Sequence, residues 1–302
     1  MYRWKKLGLL FKPDGTHPLM RSHATVPYAE RVEGDLFKIY FSARDEQNRS
    51  RTFSLLWDAK HPHEILDIES IPFLDIGETG AFDDSGAMLT WIADTGAHEK
   101  LYYYIGWNLG VTVPFRNALG VAVVRDFRIV KRYPGPTMDR SLSEPHFIAS
   151  ACVLRDQAGL YRNWYLSCVR WERVEDKLVH HYHIKYAESD DGLHWRRSGR
   201  IAIDFGHPGE FAISRPCVVR DPDCFRMWYS YRGDQYRIGY AESPDGVNWR
   251  RLDAQAGIAP SPEGWDSKSV EYPHVFDHKG TRFMLYNGND YGRTGIGVAI
   301  AE

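Results

Sequence analysis

The side chains in this sequence best suited to chemistry are acids that recur in short segments of similar setting. Five such segments stand out: Ser22-His23-Ala24-Thr25, Phe82-Asp83-Asp84-Ser85-Gly86, Ser143-Glu144-Pro145-His146, Glu210-Phe211-Ala212-Ile213-Ser214-Arg215 and Val270-Glu271-Tyr272. Four of the five bring a carboxylate, and the set adds His23, His146 and Arg215. One acid on a loop is ordinarily just solvated, whereas acids at equivalent points of repeated units form a candidate cluster. Carboxylates crowded into a partly dry site raise one another's pKa, so one keeps its proton near neutrality while another stays ionised. That split is what acid-base chemistry requires. Arg215 reads equally well as a clamp for an anionic group and as the partner of an acid. Arg44 and Asp45, which follow the strand-like Phe37-Lys38-Ile39-Tyr40-Phe41, are further candidates for the same region. In the run His180-His181-Tyr182-His183, residues 181 and 183 share a strand face. A metal pair there competes with the plainer reading of hydrogen-bonded strand histidines, and no metal site is expected.

Composition narrows the classes. The chain has 302 residues, 43% hydrophobic and 26% charged, which is ordinary for a soluble globular protein and excludes disordered and collagen-like classes. No apolar run approaches a membrane span, and the opening MYRWKKLGLLF is too short and too weakly apolar for a signal segment, so a cytoplasmic location is expected and a membrane partner is not. A net charge of -2 supplies no general field for phosphate backbones, so no nucleic-acid partner is expected. Cys152, Cys168, Cys217 and Cys224 form no C-x-x-C pair and read as free buried thiols. No glycine loop of the phosphate-cradling kind occurs, and no cofactor is expected.

The elements that position these segments show in internal repeats. Tyr186-Ala187-Glu188-Ser189-Asp190-Asp191-Gly192-Leu193-His194-Trp195-Arg196-Arg197 returns as Tyr240-Ala241-Glu242-Ser243-Pro244-Asp245-Gly246-Val247-Asn248-Trp249-Arg250-Arg251. Upstream, Cys152-Val153-Leu154-Arg155-Asp156 leading to Trp164-Tyr165 matches Cys217-Val218-Val219-Arg220-Asp221 leading to Trp228-Tyr229. Looser copies run from Pro27 to Ile39-Tyr40, from Gly86 to Tyr103-Tyr104 and from Pro273 to Leu285-Tyr286. Stretches such as Arg226–Tyr231 and Arg237–Ala241 alternate like half-buried antiparallel strands, and few segments carry a helical period. The Asp-Gly pairs mark tight turns in which glycine takes a positive φ, with Trp195 and Trp249 as buried anchors. Five units of about 60 residues match the spacing of four-stranded propeller blades. The expected fold is an all-β, five-bladed β-propeller of four-stranded antiparallel blades, one domain over 1–302, with the first strand of each blade lining a channel. A β-sandwich is the alternative, and it leaves the phased copies unexplained.

The two Tyr-Ala-Glu-Ser-x-Asp-Gly-x-x-Trp units, together with Glu271-Tyr272-Pro273-His274-Val275-Phe276 ahead of Met284-Leu285-Tyr286-Asn287, resemble segments of the five-bladed propeller glycosidases, the superfamily of glycoside hydrolase families 32, 43, 62, 68 and 130. The resemblance covers nearly the whole chain. It is closer to hydrolase-like proteins of bacterial surface-polysaccharide gene sets, which implies a pathway but no reaction. The resemblance implies Glu271 as general acid. The best assignment beside it is Asp84 as base and Glu144 as a second carboxylate that tunes pKa or holds a sugar hydroxyl, with acid separations of about 5 to 5.5 Å for retention and roughly 6.5 to 9.5 Å for inversion. His23, Arg44, Asp45, Asp83, Asn108, His146, His183, Glu210, Arg215, Tyr272 and Asn287 are the candidate substrate contacts. Asn108 belongs to the loop Gly106-Trp107-Asn108, and Asn287 to Asn287-Gly288-Asn289-Asp290-Tyr291-Gly292. There is one departure. Families 43 and 32 place an Asp on the first blade, where this chain reads Ser22-His23-Ala24-Thr25-Val26-Pro27. Three readings stay open: hydrolysis or transfer of a glycosidic bond, a phosphorylase or transferase with a cationic pocket around Arg215, Arg44 or Arg293, and a sugar-binding propeller without catalysis. The partner is a small molecule or an oligosaccharide, and the oligomeric state is open.

Overall fold

The computed structural model describes residues 2–302. Among these, twenty strands are joined by turns, with one 3-10 turn and one four-residue helical turn. Their sequences are rich in aromatic and β-branched residues and are cut at short intervals by Gly, Asp and Asn. β1 (Trp4–Phe11) opens the chain. β2 (Ser22–Glu33), β3 (Leu36–Arg44), β4 (Ser50–Asp58) and β5 (Ile65–Ile68) then pair antiparallel in order. So do β6 (Gly86–Asp94), β7 (Glu99–Leu109), β8 (Phe115–Arg125) and β9 (Arg128–Arg132). The pattern repeats in β10 (Ile148–Arg155), β11 (Tyr161–Val174), β12 (Lys177–Ser189) and β13 (Arg196–Ile203). It repeats again in β14 (Ala212–Arg220), β15 (Phe225–Arg232), β16 (Tyr236–Ser243) and β17 (Arg250–Arg251). The last run, β18 (Glu271–His278), β19 (Thr281–Asn287) and β20 (Ile296–Ala301), has no following strand. Its fourth member is β1, in the order β1-β20-β19-β18.

The chain divides into two compact units. One comprises the residues up to Asp75 with Cys217–Glu302, and the other comprises Ile76–Pro216. The core of the first includes Phe37, Ile39, Phe53, Leu55, Trp57 and Leu285. That of the second includes Tyr102, Leu119, Val121, Trp164 and Ile184. The strands expected to be half-buried are covered on both faces instead: Met227 to Ser230 and Ile238 to Ala241 are continuously buried. The register sets Trp228, Ser230 and Tyr240 on one face and Tyr229, Gly239 and Ala241 on the other, so each face carries rings beside small residues and both are covered.

The Asp-Gly turns form as expected, with Gly192 and Gly246 at φ 74. In both copies the aspartate accepts from the two backbone amides beyond the glycine at 2.8 Å. Trp195 and Trp249 are half-buried, not buried; Trp249 folds back onto its own turn, donating to the Gly246 carbonyl at 3.0 Å. Three cysteines are buried, but Cys224 is partly exposed because it sits in the tight turn where Asp221 N–H donates to its carbonyl. Among the described residues no helix is long and apolar enough to cross a membrane.

The repeated tyrosine of the aromatic strand has a common setting. Tyr104 lies opposite Gly120, whose missing Cβ makes room for the ring, since a Cβ there would stand 2.2 Å from the Tyr104 ring. Gly120→Ala is therefore expected to destabilise the protein by about 1 to 3 kcal/mol through overpacking, measured as a lower urea midpoint with an unchanged slope.

Candidate functional site

Glu271 begins β18 and is 1% exposed. One carboxyl oxygen is held: Oε1 accepts the Tyr291 backbone amide at 2.8 Å and the Ser269 hydroxyl at 3.4 Å. The other, Oε2, is buried with no hydrogen-bond partner among the described residues. Burial pushes the pKa up to about 8, against the lowering influence of the Tyr291 amide, Ser269 and Arg232. A carboxyl raised in this way is in the protonation state that general-acid chemistry near neutral pH requires.

Strained backbone surrounds it. β2 and β18 both carry bulges, with register shifts between Ser22 and Thr25 and between Glu271 and His274. His23, Val26 and Tyr272 take φ values of 63, 55 and 54 there. Asp290 and Tyr291 in the helical turn Asn289–Gly292 take 57 and 60. Non-glycine residues enter this region only when the surroundings hold them there. The holding groups are visible. Ser230 Oγ accepts the Tyr272 amide at 2.7 Å, and Asn289 Oδ1 accepts the amides of Lys268 and Ser269 at 2.7 and 3.0 Å. Asn287, opposite Glu271 in the ladder, takes the Val26 amide at 2.9 Å and donates to the carbonyls of Ala24 and Gly295 at 2.5 and 3.0 Å. It is fully buried and fully engaged, so it positions β2 against β18 instead of presenting an amide to a ligand. Asn287→Ala is expected to cost about 2 to 3 kcal/mol by removing the partner of the Val26 amide and of the Ala24 carbonyl, while the Gly295 carbonyl keeps the Gly288 amide, read by equilibrium urea unfolding.

A basic group completes this part of the first unit. His23 Nδ1 lies 2.9 Å from Ser22 Oγ, and burial, reinforced by Arg44 and Arg293, pushes its pKa down to about 4, so it is neutral at pH 7. Arg44 closes β3 opposite Ser22, and burial lowers its pKa while Tyr272 and Tyr291 oppose that shift. Arg232, at the end of β15, donates to the Tyr291 hydroxyl and lies over the rings of Tyr236 and Tyr291 at 5.4 and 5.8 Å. The structure thus brings together Glu271, Tyr272, His23 and Arg44 from the sequence candidates. It adds Arg232, Ser230 and Ser269, which no motif singles out. Arg232 ends a strand whose partner glycine and tyrosines explain the sequence without it.

The remaining candidates have other settings. The repeated tyrosine of each aromatic strand donates to a carboxylate: Tyr40 to Glu30, Tyr104 to Asp83, Tyr165 to Glu144, Tyr229 to Asp253 and Tyr286 to Asp266. In four of these a cation closes the cluster, Arg132 on Asp83 at 2.6 Å, Arg197 on Glu144 at 3.2 Å, Arg251 on Asp253 at 2.5 Å and Lys6 on Asp266 at 2.6 Å. Asp83 and Glu144 belong to this recurring arrangement. Asp45 is saturated by Arg49 and Arg51 at 2.8 and 2.7 Å and by two backbone amides. Glu210, also buried, accepts the Gly206 amide. Arg215 is fully buried and donates to the Thr90 carbonyl at 2.5 Å. His183 Nδ1 lies 3.0 Å from Asp204, and burial lowers its pKa; its neighbour His181 faces Glu172 at 2.9 Å. His146 and Asn108 are partly exposed. Asp84 is partly exposed as well, with Oδ2 on the Gly80 amide at 3.0 Å and Oδ1 on the Ser85 hydroxyl at 2.9 Å.

The fold is that of the propeller glycoside hydrolases. A solved glycoside hydrolase superimposes with a TM-score of 0.77 at 18% identity, covering 98% of this chain and 90% of that one. A thermostable family-43 glycoside hydrolase gives 0.65 at 15% identity, over 95% and 91%. A structure from the family of mannoside phosphorylases that contains glycoside hydrolases targeting β-1,2 mannosidic linkages in Candida mannan gives 0.70 at 15% identity, over 99% and 93%. No family model matches the sequence. The chain belongs to the family of two uncharacterised proteins of Mycobacterium tuberculosis, from strains CDC 1551 and H37Rv, each 45% identical to it over 99% of both chains.

Proposed function

We propose that this protein cleaves or transfers a glycosidic bond with Glu271 as general acid. The observation that carries the reading is the state of that carboxyl: buried, raised to about 8, anchored through Oε1 and without a partner at Oε2. Protonation of a glycosidic oxygen needs a donor that still holds its proton at working pH. Tyr272, Tyr291 and the neutral His23 supply ring faces and polar contacts of the kind that accept a sugar. Asp84 is the proposed base. Its two oxygens take only one amide and one hydroxyl, which leaves acceptor capacity that the clustered Asp83 and Glu144 lack. In this reading each four-strand run is one blade, five in all, and the resemblance to proteins of surface-polysaccharide gene sets supports a substrate of that origin.

The test is product analysis by mass spectrometry after incubating wild type, Glu271→Gln and Asp84→Asn with a broad set of oligosaccharides and activated sugars, with and without phosphate. Turnover by wild type that both variants lose, with their urea midpoints retained, is the expected result. Turnover only with phosphate would make the protein a phosphorylase. Sugar binding without turnover under any condition would make it a binding protein and overturn the catalytic reading.

A further inference from the structure

Several arginines of this protein are held by carboxylates. Arg51, Arg132 and Arg197 each lie against a carboxylate, at 2.7, 2.6 and 3.2 Å. Arg44 does not. Its Nη1 donates to the neutral amide oxygen of Asn48 at 3.3 Å, its Nε is buried without an acceptor, and no carboxylate among the described residues stands within ion-pair distance of it. Arg293 also has no carboxylate partner among the described residues. It follows Gly292, where a Cβ would stand 2.9 Å from the Ala24 carbonyl and 2.6 Å from the Asn287 amide, so the residue before Arg293 packs closely against the β2 bulge that carries His23. Arg44 stands opposite Ser22 in the ladder, next to His23, and both Arg44 and Arg293 lower the His23 pKa by their charge, while burial raises the pKa of Glu271. Arg44 is half-buried and Arg293 exposed, so their guanidinium groups remain within reach of a ligand, and the buried Arg44 Nε is a donor that such a ligand would complete.

We infer that Arg44 and Arg293 form an oxyanion site beside Glu271, and that the substrate itself carries the oxyanion, as a sugar carboxylate or a phosphate ester. Guanidinium groups suit both, through paired N–H donors. The anion is assigned to the substrate because the two arginines border the segments that hold the acid, Arg44 beside Tyr272 and Tyr291 and Arg293 at the end of the turn Asn289–Gly292. Arg44 acts on Tyr272, the residue after Glu271, and on Tyr291, whose amide holds Glu271. A separate nucleophile that inverts the sugar centre approaches from the face opposite the protonated leaving oxygen. This inference rests on the cleavage reading for its substrate, but binding tests it apart from turnover.

The experiment is isothermal titration calorimetry of the full chain at fixed ionic strength with the uronates and 6-phosphates of glucose, galactose and mannose, the neutral parent sugars, and inorganic phosphate. At least one charged sugar is expected to bind tenfold or more tightly than its neutral parent and to weaken as salt rises. Arg44→Ala is expected to lose about tenfold or more of that affinity, Arg44→Lys to recover part of it, and Arg293→Ala to lose a smaller share. Urea midpoints establish that each variant is folded, and Arg293→Ala serves if Arg44→Ala is not. Equal affinity for charged and neutral sugars, or arginine variants that bind like wild type, overturns the inference. So does inorganic phosphate that binds as tightly as the charged sugars and displaces them, which assigns the site to free phosphate. Glu271→Gln separates the two proposals. Charged-sugar binding kept by the variant, with no cleavage by wild type, leaves this inference standing without the cleavage reading. Glu271-dependent cleavage of neutral glycosides with no charge preference does the reverse.

Discussion

Glu271→Gln is expected to lower turnover by about 10²- to 10⁴-fold with KM little changed. Glutamine keeps the shape of the side chain and the acceptor for the Tyr291 amide, and it removes only the acidic proton. The wild-type rate is expected to fall as pH rises through about 8, where the carboxyl ionises. Stability carries the same signature. The folded carboxyl is raised from its ordinary 4.5 to about 8, so between those values the folded chain holds a proton that the unfolded chain has released. The stability contributed by that proton is complete below about 4.5, declines as pH rises and is gone above about 8. Glutamine has no such dependence. At pH 9 the variant is expected to be the more stable protein, by on the order of 4 kcal/mol, and at pH 4 the two should be nearly equal. Urea unfolding at pH 4, 7 and 9 checks this. A wild-type stability that is flat over this range would show that Glu271 is not held protonated, and the general-acid assignment would go with it.

Glu144→Ala is expected to cost about 3 to 5 kcal/mol of folding stability with no ligand present. The carboxylate is buried and takes Tyr165 Oη at 3.1 and 3.2 Å, Ser167 Oγ at 2.7 Å and Arg197 at 3.2 Å, with Lys185 at 3.4 Å. Truncation leaves Arg197 and Lys185 partly buried and facing each other without a counter-charge. Glu144→Gln keeps the shape and loses the charge, and is expected to lose roughly half as much stability. Chemical unfolding of the three proteins decides the matter. A fully stable Glu144→Ala that has lost only turnover would return Glu144 to the chemistry.

Much of the architecture is legible in the chain. The Asp-Gly-x-x-Trp units, the paired aromatic strands and the scarcity of helical period require antiparallel strands in phased copies, because turn chemistry and side-chain alternation act over neighbouring residues. Glu271 is legible too, through the segment that resembles a known acid. Other features are silent in sequence. The pairing of β1 with β20 joins the two ends of the chain, and no local signal marks it.

The site shows the same division. Residue types and spacing pick out Glu271, His23 and Arg44, and they pick out Asp83 and Glu144 with equal force, since an acid before a strand looks alike in every copy. Tertiary structure separates them by partners. Asp83 and Glu144 are met by a tyrosine hydroxyl and an arginine brought from other strands, whereas Glu271 is met by one amide and one distant hydroxyl, with Oε2 left without a partner among the described residues. A carboxyl's charge state depends on the solvent it loses and the donors it gains, and both come from residues remote in sequence. The sequence by itself determined the strands, the turns and the identity of the acids. Only the folded chain decided which acid keeps its proton and which arginine is left without one to face.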